Sequence, residues 1–101
     1  MSDGVVVTFT VTLKPEAVEP FCGGLSEMLK DTAQRPGFRD IRVVRHKDNP
    51  NQVMLIEHWE NEKAYQDYIA WRTERGDMDS IGQILSAPPR VDVWPNIVAA
   101  A

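Results

Sequence analysis

Between residues 57 and 68 the chain reads EHWENEKAYQDY, and this stretch gathers most of the side chains that could take part in a reaction. Glu57, His58, Trp59, Tyr65 and Tyr68 stand here, with Trp71, Arg72 and Met78 just downstream. Tyrosine hydroxyls donate and accept hydrogen bonds, histidine titrates near neutral pH, and arginine beside a tryptophan can form the cationic rim of a pocket for an anionic ring. A desolvated Glu57 beside Trp59 would have a raised pKa and could serve as a base. Each residue also has a plainer role. Trp59 can be a core tryptophan with a satisfied N–H, and Tyr65 and Tyr68, three apart, are neighbours on the helix surface facing a sheet. His58 can pack at an interface, Arg72 can lie in solvent, and Glu57 can pair with Arg42 across two strands.

Other chemistries lack their residues. No glycine-rich loop sits between a strand and a helix to cradle phosphates. No His-Glu-x-x-His or Cys/His spacing supplies a metal site, and His46 and His58 are expected on opposite faces of neighbouring strands. Ser2, Ser26, Ser80 and Ser86 lie outside any nucleophile-elbow context. Cys22 is the only cysteine, so the chain can form neither an internal disulfide nor a thiolate cluster. The net charge of −4, with basic residues scattered among acids, argues against nucleic acid or an anionic membrane as partner. No apolar run approaches the roughly 18–20 residues of a membrane span. Met1-Ser2-Asp3-Gly4 carries an acid and no apolar signal core, so a cytoplasmic location is expected.

The 101 residues fit one domain, 1–101, and 43% hydrophobic with 26% charged residues is the balance of a folded chain. Residues 5–13, VVVTFTVTL, alternate with period two and β-branched side chains, which predicts a strand ended by Lys14-Pro15. Val18, Phe21, Leu25, Met28 or Leu29, and Thr32 then fall at helical spacing as far as about Arg35. Two features disturb that helix. Pro20 would remove a hydrogen bond in an interior, so the helix begins or kinks there, and Gly23-Gly24 costs about 2 kcal/mol relative to two alanines. The paired glycines could serve the close approach of a neighbouring element. Residues 38–47 and 52–60 are predicted strands joined by the turn Asp48-Asn49-Pro50-Asn51. With Lys47 facing Gln52, Arg42 falls opposite Glu57 and Ile41 opposite His58. Both faces of this hairpin are largely apolar, so a sheet with helices on one side would leave apolar surface wet unless a second copy covered it. Asn61 caps a helix over 62–75, Arg75-Gly76 stops it, and Asp77 opens a short helix through Met78, Ile81 and Leu85. Residues 90–94 form a last strand; Trp94 and Ile97 are expected dimer contacts. The order β-α-β-β-α-α-β is that of an α+β, ferredoxin-like split βαβ fold with an antiparallel sheet.

The stretch RPGFRDIRVVRHKDNPNQVMLIEHWENEKAYQDY resembles the antibiotic biosynthesis monooxygenase (ABM) domain family in its Pro36-Gly37, the apolar strand with Val53 and Leu55, the Glu57-x-Trp59 ending, and Ala64 on the following helix. Pro15 fits the family's opening, and the resemblance spans about residues 5–94. It implies a dimeric α/β barrel of ferredoxin-like protomers with a pocket between each sheet and its helices. It further implies a cofactor-independent monooxygenase, using neither metal nor flavin, whose small phenolic, polycyclic aromatic or quinol substrate passes an electron from its deprotonated ring to O2. Trp59, Tyr65 and Tyr68 would shape the pocket, while Arg72 or His58 would polarise the substrate oxygen. Tyr68 stands where many members carry a histidine. No histidine follows it, and Met78 stands near the position at which haem-degrading relatives need one, so haem degradation is disfavoured. The alternatives are a non-catalytic small-ligand-binding dimer and an isomerase or lyase using the same pocket.

Overall fold

The computed structural model describes residues 4–101. Strand β1 (Val5–Thr12) leads through a 3-10 turn (Pro15–Ala17) into helix α1 (Val18–Ala33). The hairpin of β2 (Phe38–Arg45) and β3 (Gln52–Trp59) follows, then α2 (Glu62–Glu74), α3 (Asp77–Gln83) and β4 (Arg90–Trp94). The four strands form one sheet in the order β2-β3-β1-β4, antiparallel at each junction. This is the ferredoxin-like split βαβ arrangement expected from the order of elements.

The two central strands carry the period-two pattern to completion. Val5, Val7, Phe9 and Val11 of β1 are buried and their odd-numbered partners on β3, Val53, Leu55, Glu57 and Trp59, are buried beside them. This face packs on the helices in two adjoining clusters, one around Phe9, Val11, Leu13 and Val18, the other around Val5, Val7, Trp59, Tyr65 and Tyr68. The opposite face carries Val6, Thr8, Met54, Ile56 and His58, each half-buried, with Val44 45% and Trp94 53% exposed nearby. Trp94 Nε1–H donates to Thr8 Oγ1 at 3.1 Å on that face. Among the described residues no helix is long and apolar enough to cross a membrane.

Three local expectations are corrected. First, α1 does not begin at Pro20. It starts at Val18, so Pro20 sits in the first turn, where the missing N–H has no intrahelical acceptor to lose. Second, Gly23 and Gly24 admit no neighbour, since a Cβ built at either meets nothing within 4 Å. Third, the hairpin register differs by one residue: Ile41 lies opposite Glu57 and Arg42 opposite Ile56. The turn is longer than the four residues assumed. His46 Nδ1 accepts the backbone N–H groups of Asp48 and Asn49 at 3.0 and 3.1 Å, and His46 N–H, not that of Lys47, bonds the Gln52 carbonyl. A slip of one exchanges the two faces of a strand. Ile41 and Val43 therefore join the helix-covered side beside Glu57 and Leu55, while Arg42 and Val44 turn to the open side. That register buries aliphatic side chains in place of an arginine.

Two glycines close the connections that bring α2 and α3 onto the sheet. Gly37 has φ +81, and a Cβ there would lie 2.5 Å from that of Ala64, while its carbonyl accepts Glu60 N–H at 2.7 Å. Gly76 has φ +82 in open space between α2 and α3. Gly76→Ala is expected to cost about 1–2 kcal/mol from backbone strain alone, a fall of roughly 5–10 °C in Tm for a domain of this size. Gly37→Ala adds a clash between packed elements and should cost about 3 kcal/mol or more. Thermal melts of the two variants check the difference, and equal losses would contradict it.

Candidate active site

The helix-covered face does not pack solidly. A cavity of about 120 Å³ remains between β1, β3 and β4 below and α1, α2 and α3 above, with the half-exposed Val91 of β4 at its edge. Its walls are largely apolar, supplied by Phe9, Leu55, Ile69, Met78 and Ile81, and its polar groups are Glu57, Tyr65, Tyr68, Arg72 and Asp77. Strand alternation places Glu57 here: it is on β3 two residues from Leu55 and two from Trp59, between Val7 on β1 and Ile41 on β2. Helical spacing places the others, since Tyr65, Tyr68 and Arg72 project from the one side of α2 that faces the sheet.

Glu57 is 4% exposed. Trp59 Nε1–H donates to its Oε1 at 2.9 Å, and among the described residues no protein group bonds its Oε2. Burial pushes the carboxyl up from its ordinary 4.5 to about 7, against the smaller pull of the Trp59 hydrogen bond and the Arg72 charge. At neutral pH the group is thus poised between acid and base. Tyr65 is shifted too: burial first, then the charges of Glu57 and Tyr68, push its hydroxyl up to about 12, so it stays protonated and available as a donor.

Arg72, 5% exposed, is the other pole. Its Nε–H donates to Tyr68 Oη at 3.1 Å, Nη1–H to Asp77 Oδ2 at 2.9 Å, and Nη2–H to Thr32 Oγ1 at 3.0 Å and the Met28 carbonyl at 3.2 Å. Thr32 Oγ1 also lies 3.0 Å from Tyr68 Oη, a bond in which either hydroxyl can donate, and 3.4 Å from the Met28 carbonyl. Burial works against the guanidinium charge, but the bonds to Tyr68 and Asp77 outweigh it and hold the Arg72 pKa above its ordinary value. Asp77 is held below the usual carboxylate range, chiefly by its bond from Arg72 and further by Arg75.

Of the residues singled out in the sequence, Tyr65, Tyr68 and Arg72 line the cavity together. Arg72 is buried and not solvated. Trp59, 0% exposed, lies behind the wall, where its ring packs on Tyr68 at 4.8 Å between centroids and edge-on to Phe38 at 5.5 Å. His58 lies on the other face of the sheet with its Nδ1 3.4 Å from Asp40 Oδ2, away from the cavity. The expected Arg42–Glu57 pair is absent because the hairpin register puts Arg42 on that other face as well. Met28, Thr32 and Asp77 were not singled out as site residues. Thr32 carried one readable signal, a polar residue in the apolar series of α1. Asp77 read only as a helix cap; its bond to Arg72 depends on the turn at Gly76.

Fold and cavity together define an α+β protein of ferredoxin-like topology with an aromatic-lined site between sheet and helices. The chain belongs to the antibiotic biosynthesis monooxygenase (ABM) family, whose sequence model matches residues 4–72. Among solved structures it is similar to Rv0793 from Mycobacterium tuberculosis, with 19% identity, a TM-score of 0.83 and coverage of 98% of this chain and 100% of the other. A conserved protein from Methanosarcina mazei superposes with a TM-score of 0.83 at 18% identity over 93% of each chain. A mutant of SnoaB, a cofactor-independent oxygenase from Streptomyces nogalater, does so with a TM-score of 0.82 at 16% identity over 98% of this chain and 97% of the other. These likenesses show the shared fold. No curated protein sequence matches the chain.

The raised Glu57 pKa has a thermodynamic consequence. The unfolded chain releases this proton near 4.5 and the folded chain near 7, so between those values the folded state binds more protons. Stability from this group is therefore full below about 4.5, declines as pH rises to about 7, and is flat above; the difference is about 3 kcal/mol. Asp77, shifted the other way, acts below its ordinary 3.8 and leaves this window alone. Glu57→Gln, which stays neutral and can still accept from Trp59, is expected to abolish the decline, so that the variant is more stable than the parent at pH 8 and similar to it at pH 4.5. Urea unfolding at the two pH values measures this.

Proposed function

We propose that the protein is a cofactor-independent monooxygenase that oxidises a small phenolic, polycyclic aromatic or quinol substrate with O2. The observation that carries the reading is a buried carboxyl with a pKa of about 7, one of whose oxygens bonds none of the described residues, set in a largely apolar cavity with a buried arginine. The family match and the fold shared with an oxygenase described as cofactor-independent support it.

In the proposed reaction Glu57 Oε2 takes the proton of the substrate hydroxyl, and the Arg72 guanidinium and Tyr65 hydroxyl stabilise the oxyanion. The electron-rich ring passes one electron to O2. The resulting superoxide and ring radical combine to a peroxide at a ring carbon. Loss of the proton on that carbon, with cleavage of the O–O bond, leaves a carbonyl and releases hydroxide, which leaves as water after taking up a proton. The four electrons that reduce O2 thus come from the substrate: one oxygen atom enters the product and the other becomes water. Apolar walls serve this by excluding solvent from the radical pair. Trp59 acts through Glu57, orienting the carboxylate by its N–H. The same base and cation would also serve an isomerase or lyase that removes a proton beside a carbonyl, and this second reading consumes no O2. A site that binds the ring without turnover is the third.

A homodimer is the working form in this proposal. The open sheet face exposes Val44 and Trp94 and holds Val6, Met54 and Ile56 half-buried, and a second copy laid against it would cover them. Light scattering after gel filtration should give twice the chain mass, and Val44→Glu should shift the species towards monomer; a monomeric parent would exclude the dimer.

Oxygen-electrode measurements with metal-free protein and a panel of hydroquinones, dihydroxynaphthalenes and anthrones test the reaction. Uptake should require folded protein, kcat/KM should rise with pH through an apparent pKa of about 7, and Glu57→Gln should lower kcat by about 10²–10⁴. Absence of uptake across the panel would refute the oxygenase, and turnover of a substrate under anaerobic conditions would favour the isomerase or lyase.

A further inference from the structure

Beside the inner cavity lies a groove of about 390 Å³ between α1 and α3, open to solvent along Pro20, Phe21 and Gly24. The two spaces share a wall. Met28 from α1, Arg72 from α2, and Asp77 and Ile81 from α3 line both. An apolar cavity of roughly 150 Å³ takes up one benzene molecule, so the inner cavity, at about 120 Å³, has the size of a single ring. A two-ring molecule exceeds that volume, and the groove across the shared wall is the larger adjoining space that could take its second ring.

That wall is held by a small number of identifiable bonds. Asp77 Oδ2 receives Arg72 Nη1–H at 2.9 Å and Arg75 Nε–H at 3.1 Å. The far end of α3 is tied to β1 by backbone: Lys14 N–H to the Ile84 carbonyl, Ser86 N–H to the Thr12 carbonyl, and the bridge between Leu13 and Leu85. The near end begins at Gly76 in the left-handed region and is fastened to α2 through the Asp77 side chain. Ile81, half-buried, supplies the apolar part of the partition from the middle of the helix.

We propose that Asp77 and Ile81 determine substrate size: the partition they form with Arg72 and Met28 confines the site to a single-ring phenol, and a second ring is admitted only where that partition opens into the α1–α3 groove. The inference rests on the phenol-binding reading above and narrows it, from phenols and polycyclic aromatics in general to monocyclic phenols and quinols. Met78, beside Asp77 at the start of α3, lines the inner cavity and not the groove, so it belongs to the ring's own enclosure and not to the partition.

Calorimetric titration under anaerobic conditions, with p-cresol and 2-naphthol as probes, reads this without turnover. The parent protein should bind p-cresol at least about tenfold more tightly than 2-naphthol, the scale on which a pocket discriminates one apolar group. Ile81→Ala, and separately Asp77→Ala, should raise 2-naphthol affinity relative to that of p-cresol by about tenfold or more, whatever each does to p-cresol itself. Ile81→Ala leaves the Arg72 network intact and so keeps the test valid should Asp77→Ala fail to fold. Gly24→Leu fills the groove from α1, where a Cβ meets nothing within 4 Å, and leucine favours the helix over glycine. In the double variant Gly24→Leu/Ile81→Ala the gain for 2-naphthol should vanish. Equal binding of both probes by the parent, a gain that survives Gly24→Leu, or no binding of either phenol would each overturn the proposal. Because no O2 is present, size selection without any later oxygen uptake would sink the oxygenase reading alone, and oxygen uptake without size selection would sink only this one.

Discussion

The arrangement of the helices depends on one buried guanidinium. Arg72 belongs to α2, yet it bonds the Met28 carbonyl and Thr32 hydroxyl of α1 and the Asp77 carboxylate of α3, with Tyr68 of its own helix completing the set. A buried charge is tolerable only when its donors are met, and breaking such a set by removing one partner leaves the charge unsatisfied at a cost of about 3–5 kcal/mol. The three helices are therefore not free to slide over the sheet independently. Their spacing follows the reach of one side chain, and the space left between them and β3 is the cavity. A hydrophobic core alone would have closed it, since aliphatic side chains pack to the density of a crystal when nothing holds their elements apart.

The same guanidinium sets the electrical character of the space it keeps open. Arg72 is a permanent cation whose charge Asp77 partly neutralises from the groove side, and Glu57 faces the cavity from the sheet. A carboxylate at that position without any cation would be too costly to ionise near neutral pH, and one in direct contact with a cation would ionise too readily to act as a base. Glu57 lies between these extremes. Its nearest donor is a neutral indole N–H, and Arg72, held by four other bonds, acts on it through space. Tyr65, pushed to about 12, adds a donor that does not compete for the proton.

Much of this was legible in the residues, and the parts that were not share a cause. Periodicity within one segment identifies β1, β3 and the helix carrying Tyr65, Tyr68 and Arg72, because alternation and helical spacing report which side of an element is covered. The Arg75-Gly76 stop was readable for the same reason: it is a local backbone requirement, met by φ +82. Relations between segments were less accessible. Thr32 and Asp77 are 40 and 5 residues from Arg72, and their bonds to it exist only once three helices have been placed. The hairpin register also failed to emerge from the strand pattern, because both faces of that hairpin are apolar and alternation then discriminates weakly between two pairings. The observed register goes with a longer turn, in which a histidine ring nitrogen accepts two backbone N–H groups.

That single step in register bears directly on the chemistry. In the alternative pairing Arg42 would stand opposite Glu57, and an arginine within hydrogen-bond reach lowers a carboxyl pKa by about 1–3 units. Glu57 would then be an ion-paired carboxylate, ionised at every physiological pH and a weak base. In the observed pairing the cross-strand neighbours are Val7 and Ile41, which give no compensation for lost water, and the carboxyl rises to about 7. The Trp59 hydrogen bond tempers the rise without reversing it, since a neutral donor is worth roughly 1 kcal/mol, less than one pKa unit. Residues 57 and 59 share a face in either register, so the Glu-x-Trp spacing by itself produces the pair. What makes the pair a candidate base is the aliphatic Ile41 that the observed register places beside it.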